Sequence, residues 1–159
     1  MVLKVVIVED EKGSREALRV LLEEFCNDVK VIASADSVQE AIKVLSVISP
    51  DVVFLDIELQ SGEGFDILRQ IKEPSFDVIF TTAFEKYAIK AIKFSSLDYL
   101  LKPIDLDELK EAVAKARHQR DTSVYRQQIH TLMQNLGKEP YQQQKICLAT
   151  TSGMEFIAI

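Results

Sequence analysis

The sequence predicts an α/β fold, a doubly wound five-stranded parallel sheet with helices on both faces. Three observations predict it. Five short apolar runs alternate with five segments of helical periodicity between residues 3 and 116, and such alternation implies βαβ units. The runs, LKVVIV among them, are nearly continuous in apolar residues, as strands buried on both faces are. Hydrophobic residues make up 47% of the 159 residues, enough to bury a core.

Each element has its own signal. Leu3 to Val8 is the first apolar run, followed by the polar, turn-like EDEKGSR. Ala17, Leu18, Leu21, Leu22 and Phe25 then mark one face of a helix. Val29 to Ala33 is a second strand. Ser37 with Glu40 is a capping-box pair that opens a helix carrying Ala41, Ile42 and Leu45, and Pro50 stops it. Asp51 to Asp56 is a third strand that ends in a carboxylate, and SGEG after it reads as a loop. Phe65, Leu68 and Ile71 mark a third helix, halted near Pro74. Asp77 to Thr82 is strand four. Tyr87, Ala88, Ala91 and Ile92 make a weaker helix. Leu97 to Leu101 is strand five, ended by Lys102-Pro103, and Leu106, Leu109, Val113 and Ala116 share a face of the fifth helix.

The composition changes after residue 117. Residues 121–144 are rich in Gln and carry an apolar row, Tyr125, Ile129, Leu132 and Leu136, at spacings of four, three and four. This is read as a helical linker, solvated rather than a dimer seam, because two heptads are too few to establish a coiled coil. Residues 145–159, KICLATTSGMEFIAI, read as strand, turn, strand, broken off within the second strand. The expected organisation is a first domain over 1–120, a linker over 121–144 and the start of a β-rich domain over 145–159.

Composition excludes some classes. A net charge of -6 argues against a broad nucleic-acid-gripping face on this piece and leaves a further domain open. Cys26 and Cys147 are far apart in apolar company and read as small buried hydrophobes. No apolar run nears the ~20 residues that span a bilayer, so a cytoplasmic protein without membrane contact is expected. His118 and His130 fall on polar helical stretches and read as surface residues.

The chemistry gathers where strands end. Glu9 and Asp10 follow the first strand, Asp56 ends the third, Thr82 the fourth and Lys102 the fifth. Parallel strands bring these ends to one sheet edge, where open α/β sheets bind their ligands. Three carboxylates in one pocket raise one another's pKa unless a cation is present, and Mg²⁺ is the hard oxygen-seeking ion that suits them. Lys102 adds a positive charge and Thr82 a hydroxyl donor. Together they make a site for a phosphoryl group with Asp56 as nucleophile. Taken singly, each residue has a bland explanation as a turn, a cap or a strand position; the joint placement carries the argument.

The blocks VIVEDEKGSREAL, DVVFLDIELQSGEGFDIL, VIFTTAF and LDYLLKPI resemble, in order and spacing, the signatures of the response-regulator receiver family over residues 3–118. The resemblance implies a flavodoxin-like receiver fold in which Asp56 is the phosphoacceptor. Asp10 would be a metal ligand, Glu9 its acidic partner and the Glu58 backbone carbonyl the third protein contact to Mg²⁺ or Mn²⁺. Thr82 would be the switch hydroxyl, Tyr99 the aromatic that changes rotamer with it, and Lys102 the phosphoryl contact before a cis bond to Pro103. Glu9 stands where many members have Asp. The SLDYLLKPI block and the tail resemble the LytTR-type (LytR/AlgR) branch, with its β-rich DNA-binding domain.

The expected function is that of a two-component response regulator. It accepts a phosphoryl group from a sensor histidine kinase onto Asp56, is no enzyme beyond self-catalysed acceptance and slow autodephosphorylation, and controls DNA binding and transcription through the domain that follows. Phosphorylation would drive homodimerisation through a face that includes Lys90, Lys93 and Tyr99. The alternative is a receiver that signals by protein contact alone. A hydrolase with an Asp nucleophile needs a second Asp two residues on, and Glu58 stands there.

Overall fold

The computed structural model describes residues 2–71, 74–87, 98–120 and 124–136. The predicted helix through Ala88, Ala91 and Ile92, the surface residues Lys90 and Lys93, and the strand–turn–strand of 145–159 with Cys147 lie outside the described residues.

Five parallel strands form the sheet: β1 (Leu3–Val8), β2 (Val29–Ala35), β3 (Val52–Asp56), β4 (Asp77–Thr82) and β5 (Asp98–Leu101). Their order is β2-β1-β3-β4-β5, which is that of a doubly wound sheet with its switch point between β1 and β3. Among the described residues the α-helices are α1 (Lys12–Phe25), α2 (Val38–Val47), α3 (Gly64–Gln70), α4 (Leu106–Gln119) and α5 (Val124–Asn135), with a short 3-10 turn at Glu85–Tyr87. Alternate strand residues feed two cores. Leu3, Val5, Ile7 and Phe54 join Leu18, Leu22, Leu109 and Ala112 on the α1–α4 side. Val6, Val8, Leu55 and Phe80 join Ala41, Phe65 and Leu68 on the α2–α3 side. All five residues of β3 are buried, which is why this run shows no polar alternation.

Three elements differ from their sequence reading. Helix α1 begins at Lys12, inside the stretch read as a turn, because the Glu11 side chain accepts the Ser14 amide as an N-cap. Its buried row is Leu18, Leu22 and Cys26, while Phe25 is 50% exposed; Cys26 is buried as expected. The SGEG stretch closes a two-stranded antiparallel ladder, its Gly62–Glu63 pairing with Glu58–Leu59 before it. Two residues of the linker row are not solvated: Ile129 and Leu132 are 1% and 2% exposed.

The Ser37 cap forms, with its hydroxyl accepting the Glu40 amide at 3.0 Å. The Glu40 carboxylate accepts the Asp36 amide at 3.0 Å, one residue earlier than the amide a capping box uses. Among the described residues, no helix is long and apolar enough to cross a membrane.

Candidate functional site

Strand register assembles the site. Val8 pairs with Leu55, which sets Glu9 beside Asp56. Asp56 pairs with Thr81, so Thr82 lies one residue beyond it. Thr82 pairs with Leu101, and Lys102 follows, its amide donating to the Thr82 carbonyl at 2.8 Å. The Lys102–Pro103 peptide is cis.

The carboxylate oxygens of Glu9, Asp10 and Asp56 come within 4.8 Å of one another. Glu9 and Asp56 are both 4% exposed. The Lys102 ammonium bridges them, bonded to Glu9 and lying 3.0 Å from Asp56 Oδ2. Burial pushes the Asp56 carboxyl up to about 7, and the charge of Glu9 adds to this while Lys102 opposes it. Burial pulls the Lys102 ammonium down, but its bonds to Glu9 and Asp56 outweigh that and its pKa is raised. Two carboxylates and one ammonium leave a surplus negative charge at a desolvated site, a donor set suited to a hard divalent cation.

Local contacts hold this frame. The Asp56 Oδ1 accepts the Glu58 amide at 3.1 Å, and Asp10 Oδ2 accepts the Gln60 amide at 2.7 Å. Arg15 donates to the Glu9 carbonyl at 2.8 Å. The Tyr87 hydroxyl donates to Glu58 Oε1 at 2.9 Å across the loops that follow β3 and β4. Asp10, Glu58, Gln60, Glu63 and Tyr87 line an open cleft of about 720 Å³ beside these groups. Sequence reasoning missed Arg15 and Tyr87. Arg15 lay in a stretch read as a turn, and Tyr87 was counted as an apolar helix residue.

Thr82 and Tyr99 each bond to the Phe84 backbone rather than to Asp56. Thr82 is fully buried, and its hydroxyl accepts the Phe84 amide at 3.2 Å. The Tyr99 hydroxyl donates to the Phe84 carbonyl, and its ring packs against the α2–α3 core.

Gly64 sits where no side chain fits. A Cβ there would lie 2.4 Å from the Asp56 carbonyl and 3.0 Å from Leu55 Cγ, and the Gly64 amide donates to the Ile57 carbonyl at 2.7 Å. Gly64→Ala is expected to lower stability by roughly 1–3 kcal/mol, the usual range for overpacking, in urea unfolding. An unchanged midpoint would show that the Asp56 backbone yields without strain.

Residues 5–114 match the family model described as the response regulator receiver domain. The sensory transduction protein LytT of Bacillus cereus is 38% identical over 125 residues, covering 77% of this chain and 50% of that protein. The transcriptional regulatory protein BtsR of Escherichia coli is 39% identical over 119 residues, covering 74% of this chain and 49% of that protein. The chain thus spans about half the length of these curated relatives. Among solved structures, the receiver domain of AraT, a response regulator from Geobacillus stearothermophilus, is 32% identical with a TM-score of 0.67. That match covers 76% of this chain and 97% of the other.

Proposed function

Because this chain belongs to the response regulator receiver domain family, we propose that it takes a phosphoryl group on Asp56 and relays the event to an output domain. The observation that carries this is the Lys102 ammonium bridging Glu9 and a buried Asp56 beside Asp10. The donor is a phosphohistidine of a sensor kinase. An Asp56 carboxylate oxygen forms the new O–P bond as the donor's P–N bond breaks, and the electron pair leaves with the imidazole nitrogen. Lys102 holds a positive charge where the transferred oxygens gather. The chain acts once per phosphoryl group and is not a turnover enzyme. Uptake of one phosphoryl group from a small acyl phosphate in Mg²⁺, read by intact mass, tests this directly.

Glu9, Asp10, Asp56 and the backbone carbonyl of Glu58 are the groups that would hold Mg²⁺ or Mn²⁺. When bound, the ion offsets the charge of the phosphoryl oxygens and of the carboxylates. Binding is expected in the millimolar range, because an open site leaves the ion much of its water. Asp10→Ala should abolish the amide shifts seen around residues 8–11 and 56–60 in an NMR titration with Mg²⁺. Equal shifts in the variant would remove Asp10 from the ligand set.

Thr82 supplies the switch. A hydroxyl drawn to the phosphoryl oxygen gains a charge-assisted bond and pulls on Phe84, whose amide it holds and whose carbonyl holds Tyr99. The motion selects between two states of the surface around β5 and α4. In this reading the change promotes homodimerisation and brings two output domains to paired half-sites on DNA. The relatives named as regulators of transcription and of sensory transduction support it, as does the resemblance of residues 145–159 to a LytTR-type domain. The same reading places the protein in the cytoplasm, where kinase and DNA meet.

A further inference from the structure

The linker's apolar row has a structural partner that phosphoryl chemistry does not use. Helix α5 has twelve residues, and a helix that short is marginal by itself in water. Yet Ile129 and Leu132 are buried, and Met133 and Leu136 pack against the α2–α3 core. Just before the helix the chain is clamped. Arg120 donates to the Asp51 carbonyl at 3.1 Å and lies 3.2 Å from Asp51 Oδ1 and 3.6 Å from Asp77 Oδ2. Asp77 is 1% exposed, and a carboxylate so buried depends on its cation. Asp51 precedes β3 and Asp77 opens β4. The clamp therefore grips the amino ends of the two strands whose carboxyl ends carry Asp56 and Thr82.

We propose that helix α5 is held in a latched, closed state in which Arg120 is the latch. The docked helix hides the apolar row that would otherwise pair with the same row of a second copy of this chain. A given apolar face can be buried only once, so docking within one chain and pairing between two chains exclude each other. Docking wins at low concentration because its partner is already attached; pairing gains as concentration rises or the latch weakens. The inference stands on packing and an ion pair alone and does not depend on phosphoryl uptake.

Amide hydrogen exchange and sedimentation velocity on the full 159-residue chain test it. Amides of residues 129–136 should exchange at least about tenfold more slowly than in a free peptide of that sequence. Arg120→Ala should remove that protection, leave β1 and β3 protected, and add a dimer at raised concentration. Met133→Glu keeps the latch and should undock the helix by itself, so it decides the matter if Arg120→Ala unfolds the sheet. Peptide-like exchange in the wild type overturns the closed state, as does unchanged protection in Met133→Glu. Unchanged protection in a folded Arg120→Ala variant overturns the latch. Faster exchange without any dimer overturns the competition.

Discussion

Asp56→Asn should abolish phosphoryl uptake, by a factor of at least about 10³, the scale on which removing a nucleophile acts. Asparagine keeps nearly the shape of the side chain, and an amide oxygen can still accept the Glu58 amide that Asp56 Oδ1 accepts at 3.1 Å. What it removes is the anionic oxygen that forms the bond to phosphorus. Glu9 and Asp10 lie close by and control for general acidity. Intact mass after incubation with a small acyl phosphate and Mg²⁺ reads the result. A variant that gains the same mass as the wild type would mean that the phosphoryl group enters elsewhere.

In metal-free protein the same residue should make stability fall as pH rises. The Asp56 carboxyl titrates near 7 in the folded chain, against 3.8 as its ordinary value. Between these pH values the folded state holds a proton that the unfolded state has released. Stability is therefore greatest below about pH 4 for this group and declines as pH climbs to about 7. The separation corresponds to roughly 4 kcal/mol as an upper bound, taking about 1.4 kcal/mol for each pH unit. The causes are burial and the charge of Glu9, which Lys102 offsets only in part. Asp56→Asn should consequently be more stable than the wild type above pH 7, with the gap closing toward pH 4, and Mg²⁺ should narrow it by stabilising the wild type. Urea midpoints of the two proteins in chelator across this range measure the effect. A gap that does not change with pH would show Asp56 to be an ordinary carboxylate.

These expectations trace to residues legible along the chain. Asp56, Thr82 and Lys102 each follow an apolar run, and Glu9 and Asp10 follow another. Once the runs are read as parallel strands, their common edge follows from topology. The supporting contacts were not legible. The start of α1 at Lys12 depends on a Glu acting as N-cap, a role that Ser, Thr, Asp and Asn fill more often. Tyr87 meets Glu58 29 residues away, and the apolar period of its own segment says nothing of that contact.

By itself the sequence determined the element order, the parallel sheet and the group of residues at its carboxyl edge. Hydrophobic period and capping are properties of neighbouring residues, so they survive in a linear reading. Only the tertiary structure decided that Lys102 bridges Glu9 and Asp56, that Thr82 reaches Tyr99 through Phe84, and that Arg120 closes on Asp51 and Asp77. It also decided that Ile129 and Leu132 of the linker row are buried rather than solvated. The linker's spacing is equally consistent with a row that is free, paired with another copy or docked on its own domain. Which of these holds depends on the apolar face and ion-pair partners that the folded domain presents, and those come from residues far earlier in the chain.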